Sequence, residues 1–435
     1  MAERSDALPV YARLDRRERA LRSAWNRLDP KLRTPNQLLG RRYTVGCVAL
    51  EITQRCNLDC TICYLSDSSE KVRDVPLPIL FERIDRIAEL YGPGVGVQVT
   101  GGDPTLRRRD ELVAIVRRIA GHGLRPSLFT NGILATRDLL SELARAGLFD
   151  VAFHVDTTQR RRGFPTEASL NAIRSEYIER ARGLRIAVVF LTTVHAGNIG
   201  EVPGLGRFFL DHSDVVGMAS FQIHAETGRG EWREKAPEVT MEAVRDHLSR
   251  AAGLPDLAWD GAIVGHPDCH VGVALLTAGG VASNVLSDRP LYERFLEEFR
   301  HVSFDRRDVR ETAFRFLATV LRRPYWAVKG SAYIAKKLWE LRSGLVRNRG
   351  KIGKMTFFIQ NFMPAHGLVR ERIDNCSFMV MTDDGPVSMC EHNARREELI
   401  LRPLLLPDGS AVWQPLSGRL LPVAPEPERL SAAGR

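Results

Sequence analysis

The sequence predicts an α/β protein built around a partial, TIM-like (β/α)6 barrel with a mixed C-terminal region behind it. Three observations support this fold class. Short apolar runs between residues 48 and 223 show little polar alternation, as expected for parallel strands buried on both faces. Helical segments separate these runs in regular alternation. The polar motifs of this region follow the runs, where active sites of parallel sheets lie.

Six units of strand and helix account for this part of the chain. The predicted strands cover residues 48–53, 95–100, 125–130, 149–155, 185–194 and 215–223. The predicted helices cover residues 77–91, 109–122, 136–146, 168–182 and 200–211. Right-handed crossovers would curl such units into an open barrel.

The remaining segments give a division into three parts. Residues 1–44 read as a helix over 11–28 and a loop, residues 45–228 as the barrel, and residues 229–435 as a C-terminal region. In that last part we predict a helix over 237–253, strands within 256–282, and helical segments over 291–321 and 325–347. The Pro-rich tail from residue 403 is predicted to be strand or coil.

Composition is typical of a globular protein. The 435 residues are 44% hydrophobic and 26% charged. Seven cysteines are an odd number and three share one motif, which favours a reducing cytoplasm over disulfide pairing. The charged N-terminal segment lacks an apolar region behind it, and no run of about 18 apolar residues occurs. We therefore expect neither a signal peptide nor a transmembrane helix.

Three cysteines form the centre of the predicted site. Cys56, Cys60 and Cys63 stand at C-x3-C-x2-C spacing just after the first strand. Thiolates bind soft metals, and three of them can ligate three irons of a [4Fe–4S] cluster, which leaves one iron free for a small molecule. The alternatives are a zinc knuckle or unrelated cysteines. Zinc would need a fourth Cys or His at short range; none follows before residue 80, and Cys47 is predicted to be a core residue of the first strand.

The motif resembles the signature of the radical S-adenosylmethionine (SAM) superfamily. The resemblance implies that Cys56, Cys60 and Cys63 hold the catalytic cluster and that its open iron binds the amino and carboxylate groups of SAM. It places Ile62 against the adenine. An electron from a flavodoxin- or ferredoxin-type reductant would then cleave SAM to methionine and a 5′-deoxyadenosyl radical.

Further barrel residues gain a role from this resemblance. Gly101-Gly102-Asp103 ends the second strand, where the family usually has Gly-Gly-Glu and holds the SAM amino group; Asp103 keeps the charge but is shorter. Asn131 ends the third strand, near the expected SAM pocket, although a plain Asn-Gly turn is an equal alternative. Asp156 ends the fourth strand and would accept hydrogen bonds from the ribose, with a helix cap or a surface loop as the alternative.

A second set of cysteines lies in the C-terminal region. Cys376-x8-Gly385-x4-Cys390 is similar to the half-motif that opens the SPASM and Twitch auxiliary-cluster domains, with a slightly short first gap. The other cysteines of a full SPASM domain are missing, so an auxiliary [4Fe–4S] cluster would need Cys269 as its third ligand. Its fourth site would be open or filled by substrate, His266, His270 or His392. The alternative is that these cysteines are buried free thiols.

The positive charge of the chain is local. Residues 322–354 contain ten Lys/Arg and one acid, which equals the whole net charge of +9. Ile334, Leu338, Leu341 and Leu345 follow helical spacing in this basic helix. Such a helix suits an anionic membrane surface or packs its apolar face on the protein. A nucleic-acid surface is the least favoured of the three.

The predicted function is that of a radical SAM enzyme of the oxidoreductase or transferase type. Residues 156–159 and 357–393 resemble the group around the tetraether-lipid synthases and the pterin-modifying radical SAM proteins. This resemblance implies a small-molecule substrate, either a lipid or another hydrophobic molecule. One alternative is a peptide-maturing radical SAM enzyme. The other is a non-catalytic iron–sulfur electron carrier or scaffold, which would not need the Gly-Gly-Asp motif. We expect a cytoplasmic protein, with peripheral membrane contact through residues 322–354 left open.

Overall fold

The computed structural model describes residues 46–229, 238–259, 265–299, 302 and 309–423, together with Arg19, Arg22 and Asn26. The predicted loop before residue 45 and nearly all of the predicted helix over 11–28 lie outside these residues. The statements below concern the described part of the chain.

Fourteen strands occur in this part. They are β1 (Cys47–Thr53), β2 (Gly96–Gly101), β3 (Arg125–Thr130), β4 (Asp150–His154), β5 (Ala187–Val194), β6 (Val216–Ile223), β7 (His270–Ala278), β8 (Val281–Asn284), β9 (Gly353–Asn361), β10 (Phe378–Thr382), β11 (Gly385–Ser388), β12 (Leu404–Leu405), β13 (Ala411–Trp413) and β14 (Leu420–Pro422). The six predicted barrel strands, β1 to β6, are confirmed to within two residues at each end.

The α-helices of the described residues are α1 (Leu77–Tyr91), α2 (Arg109–Gly121), α3 (Arg137–Ala146), α4 (Glu167–Ala181), α5 (Val202–Asp211), α6 (Met241–Ala252), α7 (Arg289–Glu298), α8 (Val309–Leu321), α9 (Ser331–Glu340), α10 (Arg342–Arg347), α11 (Arg370–Asp374), α12 (Met389–Ala394) and α13 (Arg396–Ile400). Helices α1 to α5 alternate with β1 to β6 as predicted. Local signals begin several of them: the Thr136 side chain caps α3, and Thr166 forms a capping box with Ser169 at the start of α4.

The central sheet is an open, mostly parallel α/β sheet. Its order is β11-β10-β1-β2-β3-β4-β5-β6-β9-β7-β8, and the strands from β10 to β9 in this order run parallel. All seven residues of β1 are buried, which explains why this strand reads as an apolar run. The main core lies between the sheet and its covering helices.

The C-terminal region continues the barrel sheet on both sides. Strand β9 pairs in parallel with β6, and β10 pairs in parallel with β1. Side chains of β9 and β7, beyond β6, lie close to a side chain of β10, beyond β1. The ring centroids of Phe358 and Phe378 are 6.2 Å apart, and those of His270 and Phe378 are 5.5 Å apart. The predicted boundary at residue 228 therefore lies between strands of one sheet.

The basic segment is not one continuous helix. A π-helical turn over Trp326–Gly330 precedes α9, α9 ends at Glu340, and α10 ends at Arg347. Residues 353 and 354 already belong to β9. Helix α10 packs closely on β7, since a Cβ at Gly344 would overlap the Ala278 carbonyl oxygen. No described helix has both the length and the apolar character needed to cross a bilayer.

Candidate active site

The loop after β1 brings the three motif cysteines to one cavity. Cys56, Cys60 and Cys63 are half-buried and line a cavity of about 210 Å³ at the carboxyl ends of the parallel strands. The start of the loop is anchored through Asp74, which accepts hydrogen bonds from Thr53 Oγ1 (2.6 Å) and from the Arg55 guanidinium (2.6 Å).

The three thiols share one short loop and one cavity, where burial and like charge act on their ionisation. Burial raises the pKa of Cys60, and the charges of Asp156, Cys63 and Cys56 raise it further. Burial also raises the pKa of Cys56, with contributions from Asp103 and Cys63. Three thiols that repel one another as anions gain most from a shared cationic iron centre. Among the described residues, no three His, Cys, Asp or Glu side chains converge on a single ion. Thiolates on separate irons of one cluster need no such convergence.

The two glycines of the Gly-Gly-Asp motif permit close backbone packing. A Cβ at Gly101, where φ is +126°, would overlap the Thr53 carbonyl oxygen, and one at Gly102 would overlap that of Arg55. The Gly102 amide donates to Thr53 O (2.9 Å), while the Tyr64 hydroxyl donates to Gly101 O (2.6 Å). The glycines therefore join the end of β2 to both ends of the cysteine loop.

Asp103 faces the cavity but its carboxylate is already engaged. The side chain is 1% exposed and accepts hydrogen bonds from the Thr105 amide (3.0 Å), Thr130 Oγ1 (2.9 Å) and the Asn131 amide (2.8 Å). Asn131 in turn donates from Nδ2 to Asn57 Oδ1 (2.6 Å), inside the cysteine loop. Asp103 thus fixes the turn after β3 against the cysteine loop.

Asp156 is fully buried and does not line the cavity. Its carboxylate accepts hydrogen bonds from the amides of Thr158 (3.0 Å) and Thr193 (2.8 Å) and contacts His154 Nε2 (2.7 Å). Burial would raise the pKa of Asp156, but His154 and these hydrogen bonds hold it far below its usual range. The Thr61 amide of the cysteine loop donates to Thr158 O (2.9 Å). Asp156 therefore acts on the cysteine loop through Thr158, and a direct ribose contact stays a prediction.

The other predicted residues of the barrel do line the cavity. Ile62 lies on its wall together with Gly101, Gly102 and Asn131. Residues of the C-terminal region, which sequence reasoning did not assign to the site, form the outer wall: Phe362, Met363, Val380, Met389, Asn393 and Arg396.

Several charged residues at the site have only weak signals in the sequence. Arg161, in a run of three arginines, donates to the Asn131 carbonyl oxygen (2.6 Å). Arg229 forms an ion pair with Glu70 (3.4 Å), and the nearby Cys63 raises the pKa of its guanidinium against the effect of burial. The strand position of His154 predicts a packed residue, yet its side chain lines the cavity and is 35% exposed.

A buried ion pair also lies at the cavity wall. Glu51 of β1 accepts a hydrogen bond from Arg396 Nη1 (2.5 Å), and both side chains are more than nine-tenths buried. Burial opposes ionisation of Glu51, but Arg396 and His392 outweigh it and lower its pKa to about 2. The sequence signal is a single acid inside the apolar run of β1, since a buried acid needs a partner.

The fold brings the second set of cysteines together. The β10–β11 hairpin turns at Gly385, where φ is +111°, and so returns the chain from Cys376 to Cys390. Cys269 directly precedes β7. Burial raises the pKa of Cys390 to about 12, with Cys376 and Cys269 as additional causes. The C-x8-G-x4-C spacing is thus the spacing of a hairpin that places its two thiols near a third.

The candidate fourth ligands near these thiols differ in their bonding. His270 is 3% exposed, and neither ring nitrogen has a hydrogen-bond partner among the described residues. The Nδ1 atom of His266 accepts a hydrogen bond from the Asp268 amide (3.2 Å). His392 Nε2 lies 3.8 Å from Glu51, and its Nδ1 has no partner in the described part of the chain. The choice among them stays open.

Comparison with known proteins gives one family match. Residues 50–203 match the radical SAM superfamily. The chain is 30% identical over 186 residues to 7,8-dihydro-6-hydroxymethylpterin dimethyltransferase from Methanocaldococcus jannaschii, covering 41% of this chain and 36% of that protein. It is 31% identical over 181 residues to PqqA peptide cyclase from Bradyrhizobium diazoefficiens, covering 41% and 47%. The chain thus spans less than half the length of these relatives.

Solved structures also show similarity to part of the chain. Streptococcus suis SuiB bound to the precursor peptide SuiA has a TM-score of 0.37 and 14% identity, with 47% of this chain and 46% of that chain covered. The protein anSMEcpe with bound AdoMet has a TM-score of 0.38 and 16% identity, with 47% and 59% covered.

Proposed function

Because residues 50–203 form a radical SAM domain, we propose that this chain is an enzyme that cleaves SAM reductively at a [4Fe–4S] cluster held by Cys56, Cys60 and Cys63. One observation carries the proposal. The three thiols, the Gly-Gly-Asp turn and Asn131 meet at one cavity at the carboxyl ends of the barrel strands. When bound, the cluster supplies the electron that splits SAM into methionine and a 5′-deoxyadenosyl radical.

The residues of the chain would hold and orient SAM. Ile62 offers an apolar surface for the adenine, and its position between Cys60 and Cys63 places that surface beside the cluster. Asn131 is 7% exposed and lines the cavity next to the motif cysteines. Its Nδ2 donates to Asn57 and its Oδ1 accepts from the Ile133 amide, so the second N–H and the second lone pair of the amide would serve a polar group of the ligand. Asp103 and Asp156 act as positioning residues, because their carboxylates are used to fix the loops that carry Asn131 and the cysteines.

Besides Thr100, four polar residues line the part of the cavity formed by β2, β4, β5 and β6. They are Gln98, His154, Thr193 and Gln222. Polar groups among apolar walls orient a ligand, so these residues are candidates for contacts to the ribose or to the substrate. Of the four, His154 is the one whose orientation is fixed by a buried carboxylate.

For the substrate, the relatives support the peptide alternative better than the lipid. The match to a PqqA peptide cyclase is the supporting observation. The outer wall agrees with a side chain entering the cavity, since apolar Phe362, Met363 and Met389 stand beside Asn393 and Arg396. Pterin and GTP are named for other relatives, and a small heterocyclic substrate is therefore the second candidate. None of these three relatives is named for a lipid substrate.

We also propose that Cys269, Cys376 and Cys390 hold an auxiliary [4Fe–4S] cluster. The support is the register of the β10–β11 hairpin, which leaves Cys376 and Cys390 at its open end. Cys269 directly precedes His270, whose ring centroid lies 5.5 Å from that of Phe378 in the same hairpin. Met363 belongs to the outer wall of the cavity, and its amide donates to Cys390 Sγ (3.4 Å). A cluster at this place would lie beside the substrate and exchange an electron with it or anchor it.

Iron and sulfide content with EPR, measured on anaerobically prepared protein, tests both clusters. We expect about eight irons per chain in the wild type. The triple variant Cys56→Ala/Cys60→Ala/Cys63→Ala and the double variant Cys376→Ala/Cys390→Ala should each keep about four. Cys47→Ala, a buried strand cysteine, is the matched control and should keep all eight. About four irons in the wild type, all lost in the triple variant, would remove the auxiliary cluster.

Release of 5′-deoxyadenosine after reduction distinguishes an enzyme from an electron carrier. Wild-type protein with SAM and a flavodoxin-type reductant should release it, and the triple cysteine variant should not. A wild-type protein with a full cluster that leaves SAM intact would contradict the proposed activity and favour a carrier or scaffold.

A further inference from the structure

Two helices of the C-terminal region expose large apolar side chains to solvent. On α8, Phe314 is 70% exposed, Leu317 56% and Leu321 74%. Their spacing of three and four residues places them on one stripe of the helix. The opposite stripe, with Phe316 and Val320, packs on the small core around Phe299 and Trp326. Helix α8 is therefore apolar on both its inner and its outer side.

Helix α9 also exposes apolar side chains, but on its buried side it carries a charged one. Lys337 lies on the buried side, where its Nζ donates to Ser287 Oγ (2.7 Å) and contacts Glu340 (2.9 Å). The outer side carries Ile334 and Leu338, and Trp339 is 68% exposed. The bonds of Lys337 within the protein hold α9 in one rotation about its axis. In that rotation its apolar residues face outward.

Exposed cations occur along the same segment of the chain as these apolar residues. The exposed Lys and Arg side chains of the segment are Arg322, Arg323, Lys329, Lys336, Arg342, Arg347, Arg349, Lys351 and Lys354. The one acid between residues 322 and 354 is Glu340, which pairs with the buried Lys337. We define the apolar–basic face as Phe314, Leu317, Leu321, Val328, Ile334, Leu338, Trp339 and Val346 together with these cations.

We propose that the apolar–basic face docks the protein on the surface of an anionic lipid bilayer. Apolar and tryptophan side chains enter the boundary between headgroups and acyl chains, while the cations stay at the headgroups. Each Lys or Arg near such a surface raises the affinity by about fivefold. A bilayer accepts side chains from two separate helices without a matching pocket, which a folded acidic protein would have to provide.

Charge argues against the other occupants of this face. A second copy would bring the same net charge of +9 to the contact. Residues 1–44 contain eleven Lys/Arg and five Asp/Glu, so this segment is also positive. The apolar–basic face would repel a second copy and residues 1–44, whereas it would attract an anionic lipid surface.

Vesicle co-sedimentation of the full chain with its clusters reconstituted tests the proposal. Vesicles of phosphatidylcholine alone are compared with vesicles of equal parts phosphatidylserine and phosphatidylcholine. We expect binding to the anionic vesicles that weakens with salt. Lys336→Glu/Arg342→Glu should reduce the affinity about tenfold or more, and Leu317→Ser/Trp339→Ser should reduce it similarly. The matched controls are Arg117→Glu/Arg145→Glu on α2 and α3 and Leu416→Ser/Leu420→Ser near β14, which should bind like the wild type.

Iron content and circular dichroism show whether each variant is folded, and only folded variants are compared. Lack of binding to anionic vesicles by the wild type would overturn the proposal, as would equal loss of binding in the control variants. Concentration-dependent dimerisation that disappears in Leu317→Ser/Trp339→Ser, without vesicle binding, would assign the face to a second copy. Binding to polyglutamate but not to vesicles would assign it to an acidic protein.

Discussion

Asp103 and Asp156 are two buried carboxylates that follow β2 and β4, the strands on either side of β3. The resemblance to the radical SAM superfamily predicts direct contacts to SAM for both. In the structure each accepts a hydrogen bond from the amide two residues further along the chain, Thr105 or Thr158. Each also accepts one from an amide of the next strand region, Asn131 after β3 or Thr193 in β5. Buried acids require such donors, so the two residues stabilise the turns that carry the ligand-facing groups.

The pair His154–Asp156 predicts a pH dependence of stability. Burial lowers the pKa of His154, but Asp156 outweighs this effect and the net pKa is raised. A histidine with a raised pKa stabilises the fold below its ordinary pKa of about 6.5, and this contribution is lost as pH rises through the folded pKa. The free energy of unfolding of the wild type should therefore exceed that of His154→Gln by less at pH 9 than at pH 6.

Urea unfolding at a series of pH values measures this difference. His366→Gln, whose ring is 72% exposed, controls for the loss of an imidazole. If the free energies of unfolding of the wild type and His154→Gln differed by the same amount from pH 6 to pH 9, the pair His154–Asp156 would have no net charge interaction.

At the scale of the element, the end of β2 packs against the cysteine loop because Gly101 and Gly102 have no side chains. Gly102→Ala would press a methyl group into the Arg55 carbonyl oxygen, which is backbone and gives way only if the loop moves. We expect a loss of about 3 kcal/mol in the free energy of unfolding of the apoprotein, together with a lower yield of the first cluster on reconstitution.

Gly121→Ala provides the matched control. A Cβ there, at the end of α2, would meet no described atom within 4 Å apart from its chain neighbours and the backbone of its own helix. That variant should be neutral or slightly more stable. Urea unfolding and iron content measure both effects. Gly102→Ala with wild-type stability and a full first cluster would mean that the contact between β2 and the loop does not shape the site.

At the scale of the whole molecule, the pair Glu51–Arg396 connects the first barrel strand to the C-terminal helix α13. Glu51→Gln would leave a buried guanidinium without its counter-charge, which costs about 3–5 kcal/mol in comparable pairs. In the double variant Glu51→Gln/Arg396→Met, the unpaired charge is gone, so much of this loss should be recovered.

The exposed pair Arg108–Asp110 supplies the control. Both side chains are more than half exposed, and Asp110→Asn should change the free energy of unfolding by less than about 1 kcal/mol. Equal effects of Glu51→Gln and Asp110→Asn in urea unfolding would contradict a structural role for the buried pair. A second, separate unfolding transition would show that the C-terminal region folds independently of the barrel.

Local pattern determined the barrel half of this protein. Apolar runs without alternation mark β1 to β6, and periodic segments between them mark α1 to α5, because both patterns reflect burial within a few neighbouring residues. The spacing of Cys56, Cys60 and Cys63 predicts the centre of the candidate site from sequence, since all three lie in one short loop. The hairpin behind Cys376 and Cys390 was also encoded locally, through Gly385.

Tertiary structure decided what depends on contacts between distant residues. The pairing of β9 with β6 and of β10 with β1 joins segments more than 130 residues apart, and no local pattern records which strand edge a later strand will meet. The same holds for Arg396 at Glu51 and for the engagement of Asp103 and Asp156 by backbone amides. The basic segment shows it most clearly: its sequence period places Ile334, Leu338, Leu341 and Leu345 on one stripe. In the fold Leu341 is buried and Leu345 half-buried, whereas Ile334 and Leu338 are exposed. The bonds of Lys337 to distant partners help to fix this rotation.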